Sequence, residues 1–323
     1  MAKLITGGTG YVGAELAHLL VERGEEVVLF DIVINDYRVD DIKDKIKVVR
    51  GDLGNWSEVL SVVKDNKITD IYHLGSMLSY MSELNPWASF RANVIGTYNV
   101  LEAARLFGVN RMMFASSGAT FGYGRPEIIT DTTLQRPSSF YGCGKLYCEG
   151  LGRWFRNELD LDFRCIRLAN MIGPNVRTPG HWAPLMIEDT IMGRSHECIY
   201  ATPKSAGAMI YLTDAARAAD MILQAPKENI QMVNYCVASI PDAVSAEELE
   251  TILIKRYPRA KIAYKKDPAA IAEVRRRSIP IKRFDDSYAR KEWGWKPLYT
   301  TFEAIIEQFE KDIKDHPRRF GLT

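Results

Sequence analysis

Cysteine is scarce in this sequence, with five in 323 residues, at positions 143, 148, 165, 198 and 236. The number is odd and no two stand as Cys-x-x-Cys. That argues against a disulfide framework and against a zinc site, and for reduced thiols in the cytoplasm. Charge of one sign is not in excess either. Forty-two Lys and Arg against 41 Asp and Glu leave a net +1, so no strong field favours nucleic acid or a membrane surface. No run approaches the roughly 18 apolar residues of a spanning helix. The opening stretch, Met1 to Gly7, is too short and too soon broken by glycine for a signal segment. Internal repeats and low-complexity linkers are absent. What remains, 46% hydrophobic and 26% charged, is ordinary globular composition, enough for one large or two smaller domains.

Glycine, by contrast, is concentrated where the chain begins. Lys3 to Thr6 reads as a short buried strand, and Gly7-Gly8-Thr9-Gly10-Tyr11-Val12-Gly13 follows it. An amphipathic helix carrying Leu16, Leu19 and Leu20 comes next, stopped by Gly24, and then a strand from Glu26 to Phe30 ending in Asp31. Strand, glycine turn, helix, strand and acid is the order of a dinucleotide-binding unit. Gly7 would make the tight turn, Gly10 would let the backbone approach a pyrophosphate, and Gly13 would let helix and strand pack closely. Backbone N–H groups from Tyr11, Val12 and Gly13 at the helix start would face the phosphates. Asp31, 18 residues past Gly13, is placed to bond the adenosine ribose, and its charge would repel a 2′-phosphate. NAD is therefore expected over NADP.

The next strands end in chemistry as well. Ile46 to Leu53 reads as a third strand, with Asp52 placed to accept from the adenine amino group and Leu53 beneath the ring. The competing role for Asp52 is capping a helix from Trp56 to Val63. Thr69 to Ser76 is a fourth strand that runs into Leu74 and Gly75, both expected to line the cofactor. His73 at its end reads as a structural hydrogen bonder rather than a base. Trp87 to Phe107 reads as one long helix with Asn93 inside it and Gly108 as its stop. Arg111 to Ser117 is a fifth strand. Strands alternating with helices give an α/β, doubly wound parallel sheet, and ligands bind beyond the carboxyl ends of such strands. Gly7 to Gly13, Asp31, Asp52, Gly75 and Ser117 all fall at those ends.

Tyr141 and Lys145 are four residues apart. On a helix beginning near Ser139 they share one face, one turn apart. A phenol with a pKa of about 10 is a poor base at neutral pH, and bringing it to neutrality takes roughly 4 kcal/mol of differential stabilisation. An adjacent ammonium supplies charge of the right sign. Ser117, 24 residues earlier, would bond the same substrate oxygen as Tyr141. Gly118 to Ser139 between them is loop-like.

After a helix to about Leu159 and a sixth strand, Leu161 to Leu168, the pattern becomes irregular. Val176 to Ala183 reads as loop, Leu185 to Met192 as a short helix and Cys198 to Tyr200 as a short strand. Thr213-Asp214 reads as the cap of a helix from Ala215 to Leu223. Val233 to Val237 is a late strand, Ser245 to Glu248 a capping box, and Ala260 to Tyr264 another strand. Arg275-Arg276-Arg277 reads as a solvated face, with contact to an anionic substrate as the alternative. Residues 1–168 form a dinucleotide-binding domain. Residues 169–323 form mainly a smaller substrate-covering lobe, interleaved with returns to the main sheet.

This combination resembles the extended short-chain dehydrogenase/reductase family, the NAD-dependent epimerases and dehydratases. The resemblance rests on Thr6 to Gly13, Asn93-Val94-Ile95-Gly96-Thr97, Ser116-Ser117 and Tyr141 to Lys145. It implies Tyr141 as general acid/base. Lys145 would lower its pKa and hold the nicotinamide ribose, and Ser117 would orient the substrate. It also implies a homodimer in which the helices Trp87–Phe107 and Tyr141–Leu159 pair across a two-fold axis. Within the family, Gln135-Arg136-Pro137, Leu161 to Cys165, Met209-Ile210-Tyr211 and Phe284 to Lys296 look like the short-chain-type L-threonine dehydrogenases, and Leu78-Ser79 matches their substrate-contacting pair.

The departures gather at the substrate. That branch carries Thr-Thr-Asp-Tyr where this chain has Pro179-Gly180-His181-Trp182, and Trp-Pro where it has Ile279-Pro280. Either this loop folds differently, or His181 and Trp182 meet a small ligand lacking an ammonium group. Asn170 to Pro174 resembles the nucleotide-sugar epimerases. Their phosphate-holding arginine is replaced here by Ser205-Ala206-Gly207-Ala208, with only Lys204 nearby. The expected activity is NAD-dependent oxidation of a small hydroxy compound, contacted by Ser79, Ser117, Tyr141, His181 and Trp182. The alternatives are a nucleotide-sugar epimerase or dehydratase and, more remotely, a non-catalytic NAD sensor.

Overall fold

The structure, a computed structural model, describes residues 1–178, 180–265, 267–269 and 281–322. Pro179, the arginine triplet at 275–277 and Ile279-Pro280 lie outside the described residues. Strands and helices alternate from the start: β1 (Ala2–Thr6), α1 (Tyr11–Glu22), β2 (Glu26–Asp31), β3 (Ile46–Arg50), α2 (Trp56–Asp65) and β4 (Ile68–His73). Next come α3 (Ser79–Leu84), α4 (Pro86–Ser89), a π-helical segment Phe90–Ile95, α5 (Gly96–Leu106) and β5 (Arg111–Ser117). The central sheet is completed by β7 (Asp162–Leu168) and β11 (Asn234–Val237), in the order β11-β7-β5-β4-β1-β2-β3. Every neighbouring pair is parallel. All five residues of β1 are buried, as expected where helices cover both faces of a parallel sheet. The strand order reverses direction between β1 and β4, which opens a crevice at their carboxyl ends.

The long helix expected over Trp87–Phe107 is interrupted. A π-helical turn carries Asn93, and such turns recur where a helix is bent to serve a site. The remaining expectations differ mostly at their edges. Gly24 and Gly108 do end α1 and α5, in left-handed backbone at φ +77° and +66°. Asp52 lies beyond the end of β3, and α2 is capped by Asn55, whose side chain accepts from the Ser57 N–H. The stretch 118–139 read as loop contains the two-residue β6 (Ile128–Ile129).

A five-stranded sheet orders β6, β14 (Arg283–Phe284), β12 (Ile240–Ser245), β10 (Ala206–Tyr211) and β8 (Asn170–Ile172). α6 (Phe140–Leu159) packs on β5 and β7 of the central sheet, while α7 (Trp182–Ile191), α8 (Leu212–Gln224) and α9 (Ala246–Arg256) lie against the five-stranded one. The helix read as starting at Leu185 starts at Trp182. α8 starts at Leu212, so Thr213 and Asp214 lie in its first turn rather than capping it. Asp214, fully buried, instead takes hydrogen bonds from the Ser239 hydroxyl and the Leu298 N–H. The Ser245 capping box opens α9 as expected. β9 (His196–Cys198) pairs with β13 (Ile262–Tyr264) in a separate two-stranded sheet. Phe302–Asp315 closes the fold as an amphipathic helix.

Candidate active site

The glycine turn is built against β4. Gly7 sits at φ +64°, and a Cβ there would fall 2.7 Å from the Cα of Gly75. A Cβ on Gly13 would fall 2.2 Å from the Gly7 carbonyl oxygen. No side chain can be added at either place without moving backbone. Gly10 is the N-cap of α1 and no side chain caps that end, which leaves its first N–H groups without a side-chain partner, the condition for holding an anion. Asp31, at the end of β2, accepts from the backbone N–H and the hydroxyl of Thr9, both at 3.1 Å. This fastens the turn to the acid. Gly75 is pressed between Gly7 and Leu53, since a Cβ on it would meet Leu53 Cδ1 at 2.7 Å. Leu74 donates its N–H to the Thr6 carbonyl. Asp52 accepts from Gly54 N–H at 2.8 Å and faces Arg91 at 3.4 Å on the exposed side. A turn closed to side chains, an uncapped helix start and a carboxylate at its edge fit the pyrophosphate and ribose of a dinucleotide.

His73 is completely buried. Its Nδ1 pairs with the Thr6 hydroxyl at 2.6 Å and its Nε2 with the Thr97 hydroxyl at 3.0 Å. Burial, aided by the nearby Lys145 charge, pushes its pKa down to about 3, so it is a neutral structural link. Asn93 is engaged by the chain itself. Its Oδ1 accepts from Met77 N–H at 2.7 Å and its Nδ2 donates to the Met77 carbonyl at 2.9 Å. That clamp fixes the segment between Gly75 and Ser79.

Helix α6 begins at Phe140 because Ser139 caps it, accepting from the Gly142 N–H at 3.0 Å. The carboxylate of Glu83, near the end of α3, accepts from the Phe140 N–H at 2.7 Å. Ser79 opens α3, so the helix carrying Ser79 is bound to the helix carrying Tyr141. Tyr141 is 9% exposed and Lys145 3%. The Lys145 ammonium lies 5.6 Å from the centre of the Tyr141 ring and 4.6 Å from that of Phe114, and it donates to the Ala115 carbonyl at 2.7 Å. Two residues further along β5, the Ser117 hydroxyl oxygen accepts from the Ala119 N–H at 3.1 Å. Its own proton therefore remains available to donate.

His181 is the N-cap of α7. Its Nδ1 is buried and, among the described residues, has no hydrogen-bond partner. Burial pushes its pKa down to about 4, so it is uncharged at neutral pH. Trp182 packs with Ile172, Met186 and Tyr211 in the core beneath α7. Among the described residues, no hydrogen bond or ring contact joins either residue to Tyr141. Ser205–Ala208 contributes no cation, and a Cβ on Gly207 would fall 2.6 Å from Asn170 Nδ2. Sequence reasoning missed Glu83, Glu149 and Arg167, whose partners lie far away along the chain. Among the described residues, no group of three acidic, His or Cys side chains could hold a metal, and no helix is long and apolar enough to cross a membrane.

The profile of the GDP-mannose 4,6-dehydratase family matches residues 4–309. The bovine mitochondrial L-threonine 3-dehydrogenase is 30% identical over 311 residues, covering 94% of this chain and 80% of that protein. The UDP-glucose 4-epimerase of Lacticaseibacillus casei is 25% identical over 99% of both chains. Among solved structures, the GalE-like L-threonine dehydrogenase of Cupriavidus necator in its holo form superposes with a TM-score of 0.85. It is 26% identical and covers 96% of this chain and 99% of that one. A partial-consensus L-threonine 3-dehydrogenase gives 0.86, at 26% identity over 98% and 100%. The chain therefore belongs to the epimerase/dehydratase family of extended short-chain dehydrogenases/reductases, and is an NAD-dependent enzyme of the oxidoreductase/epimerase kind.

Proposed function

We propose that this enzyme oxidises a small non-amino hydroxy compound, a β-hydroxy acid or related alcohol, with Tyr141 as general acid/base. The observation that carries the reading is the buried Lys145 ammonium, held on the Ala115 carbonyl and lying across the Tyr141 ring. Among the described residues no carboxylate is within ion-pair distance of it, so its charge is not cancelled locally. A cation there has the sign that a phenol giving up its proton requires. Tyr141 takes the proton of the substrate hydroxyl while the Ser117 hydroxyl donates to the same oxygen. The glycine turn from Gly7 to Gly13 would hold NAD, which would supply the acceptor for the hydride leaving the carbon that carries that oxygen. Gly7, Gly10, Tyr11, Val12, Gly13, Asp31, Asp52, Leu53, Leu74 and Gly75 line its binding site, and Asn93 holds the adjoining segment in place.

For the substrate class we rely on the departure at His181 in the sequence. A neutral His181 offers no anion to an ammonium group, which favours a substrate without one. The epimerase relative, matching end to end, supports a second reading with a nucleotide sugar. Against it, nothing at 205–208 supplies a cation for phosphates. We assign residues 1–168 to cofactor binding and 169–323 mainly to the substrate lobe. The five thiols, all unpaired, fit a cytoplasmic enzyme. Trp87, Tyr98, Tyr147 and Trp154 expose large apolar surface on or beside α5 and α6, and we assign that face to a homodimer. The test is NADH appearance over a panel of L-threonine, non-amino β-hydroxy acids, vicinal diols and UDP-sugars. Turnover of a non-amino hydroxy compound supports the reading. Preferred turnover of L-threonine overturns the substrate class, and isomerised sugar without NADH replaces it with epimerisation.

A further inference from the structure

Behind the candidate site lies a charged cluster that the proposed chemistry does not use. Glu149 on α6 and Arg167 on β7 form an ion pair with side chains only 2% and 4% exposed, Arg167 Nη2 to Glu149 Oε2 being 2.7 Å. Arg167 Nε also reaches both carboxylate oxygens, at 3.0 and 3.1 Å. The Ser116 hydroxyl donates to Glu149 Oε1 at 2.5 Å, and Asn234 Nδ2 on β11 donates to Oε2 at 3.0 Å. From the other side, Arg167 Nη1 donates to the Asp131 carbonyl at 3.0 Å, and Gln135 bridges the pair. Arg167 is thus bonded into the loop between Ser117 and Tyr141.

A buried ion pair is weak evidence for stability, because desolvation offsets much of its attraction. Its placement is more informative. Ser116 immediately precedes Ser117, and it pairs across strands with Arg167. Glu149 stands one helical turn beyond Lys145, on the same face. Helix α6 is therefore bolted to the end of β5 twice, by Lys145 on the Ala115 carbonyl and by Glu149 on the Ser116 hydroxyl. The end of β5, the loop before Tyr141, β7 and β11 are thus tied to one carboxylate on α6. Two groups acting on one substrate oxygen tolerate little misplacement, and an error of 1 Å costs on the order of a hundredfold in rate.

We propose that Glu149 is a positioning residue that, through Ser116 and Arg167, sets the register of Ser117 against Tyr141. The inference rests on the reading in which those two groups share a substrate oxygen. Glu149→Gln leaves the Arg167 charge buried without its partner and risks unfolding, so Ser116→Ala is the decisive variant. It removes one link and leaves the ion pair intact. The experiment uses the full chain loaded with NAD and labelled with [ζ-13C]tyrosine, the Tyr141 resonance being assigned through Tyr141→Phe. Ser116→Ala is expected to shift that resonance. On whichever substrate the wild type turns over, kcat should fall tenfold or more, with KM and NAD affinity within threefold. A lowered Tm with resonance and kcat unchanged makes the network merely structural and overturns the proposal. The two readings fail separately. If Tyr141→Phe retains turnover, the mechanism fails. If Tyr141→Phe is inactive while Ser116→Ala is fully active with an unmoved resonance, only the positioning role fails.

Discussion

The Glu83 carboxylate accepts the Phe140 N–H at 2.7 Å, and so a residue of α3 neutralises the positive end of the helix that carries Tyr141. An anion at a helix N-terminus stabilises it, and a hydrogen bond to a charged group adds to that. Glu83→Ala should cost about 1–2 kcal/mol in urea unfolding, by those same principles. Glu83→Gln, which keeps an acceptor, should cost less than half as much. Because α3 begins at Ser79, the loss should also raise KM for the substrate more than it weakens NAD. An alanine variant with wild-type stability and KM would show that the contact is incidental.

Tyr141 and Lys145 separate in their effects. Tyr141→Phe removes the proton carrier and should lower kcat by about 10²–10⁴, with NAD affinity changed less than threefold in a fluorescence titration. Lys145→Met removes the ammonium that meets both the Tyr141 ring and the Ala115 carbonyl. It should lower kcat as severely and also weaken NAD. Equal NAD affinity in both variants would remove Lys145 from the cofactor site.

Gly13 has no room for a side chain, its added Cβ falling 2.2 Å from the Gly7 carbonyl oxygen. Gly13→Ala must move the turn, and since we assign the phosphate cradle to that turn, NAD affinity should fall at least tenfold by calorimetry. Gly24→Ala is the control. It lies at φ +77° with open space around it, so it should lower Tm slightly and leave NAD binding untouched. If Gly13→Ala binds NAD normally, the cradle lies elsewhere.

These sites differ in how plainly the sequence shows them. The geometry of the glycine turn was legible because its constraints are local. A positive-φ glycine, a helix start and an acid at a strand end lie within 31 residues, and their spacing is the geometry. Tyr141 and Lys145 were legible for the same reason. Glu149 and Arg167 were not, because Ser116, the loop carrying Asp131 and Gln135, and Asn234 come to them from three other places in the chain. The π turn at Asn93 was hidden because its residues suit an α-helix equally well, and the clamp on Met77 settles the backbone there. The apolar pattern of the sequence starts at Leu185 and leaves Trp182 in the preceding loop, yet its ring is buried with Met186, four residues on, in one apolar cluster. The C-terminal helix was legible in principle, since Phe302, Ile305, Ile306 and Phe309 follow the spacing of one helical face.

Acid should destabilise the fold through two histidines. Burial lowers the pKa of His73 to about 3 and of His181 to about 4, from an ordinary 6.5. The unfolded chain therefore takes up protons that the folded chain refuses. The stability they contribute is complete above pH 6.5 and is lost as pH falls toward 4 and then 3, at about 1.4 kcal/mol per pH unit for each histidine. Urea unfolding at pH 7 and pH 5 measures the slope. His181→Asn should flatten it, and a slope unchanged by that substitution would show that His181 is not buried in solution.

Asp131 carries the opposite sign. It is 7% exposed, its Oδ1 accepts the Cys236 N–H, and its Oδ2 has no hydrogen-bond partner among the described residues. Burial raises its pKa to about 6, and the nearby Arg167 only partly opposes that. Protonation is thus easier in the folded chain than in the unfolded one. The contribution of Asp131 is fully present below an ordinary carboxyl pKa near 4, and it is lost as pH rises through 6. At pH 8 the charged carboxylate strains the fold by up to about 3 kcal/mol. Asp131→Asn keeps the acceptor for Cys236 and removes the charge, so it should raise Tm at pH 8 and bring no gain at pH 4. The substitution leaves the Asp131 carbonyl free to keep its bond from Arg167, so the loop before Tyr141 should stay in place and kcat should be retained. A variant that gains equally at both pH values would trace the stabilisation to packing instead of charge.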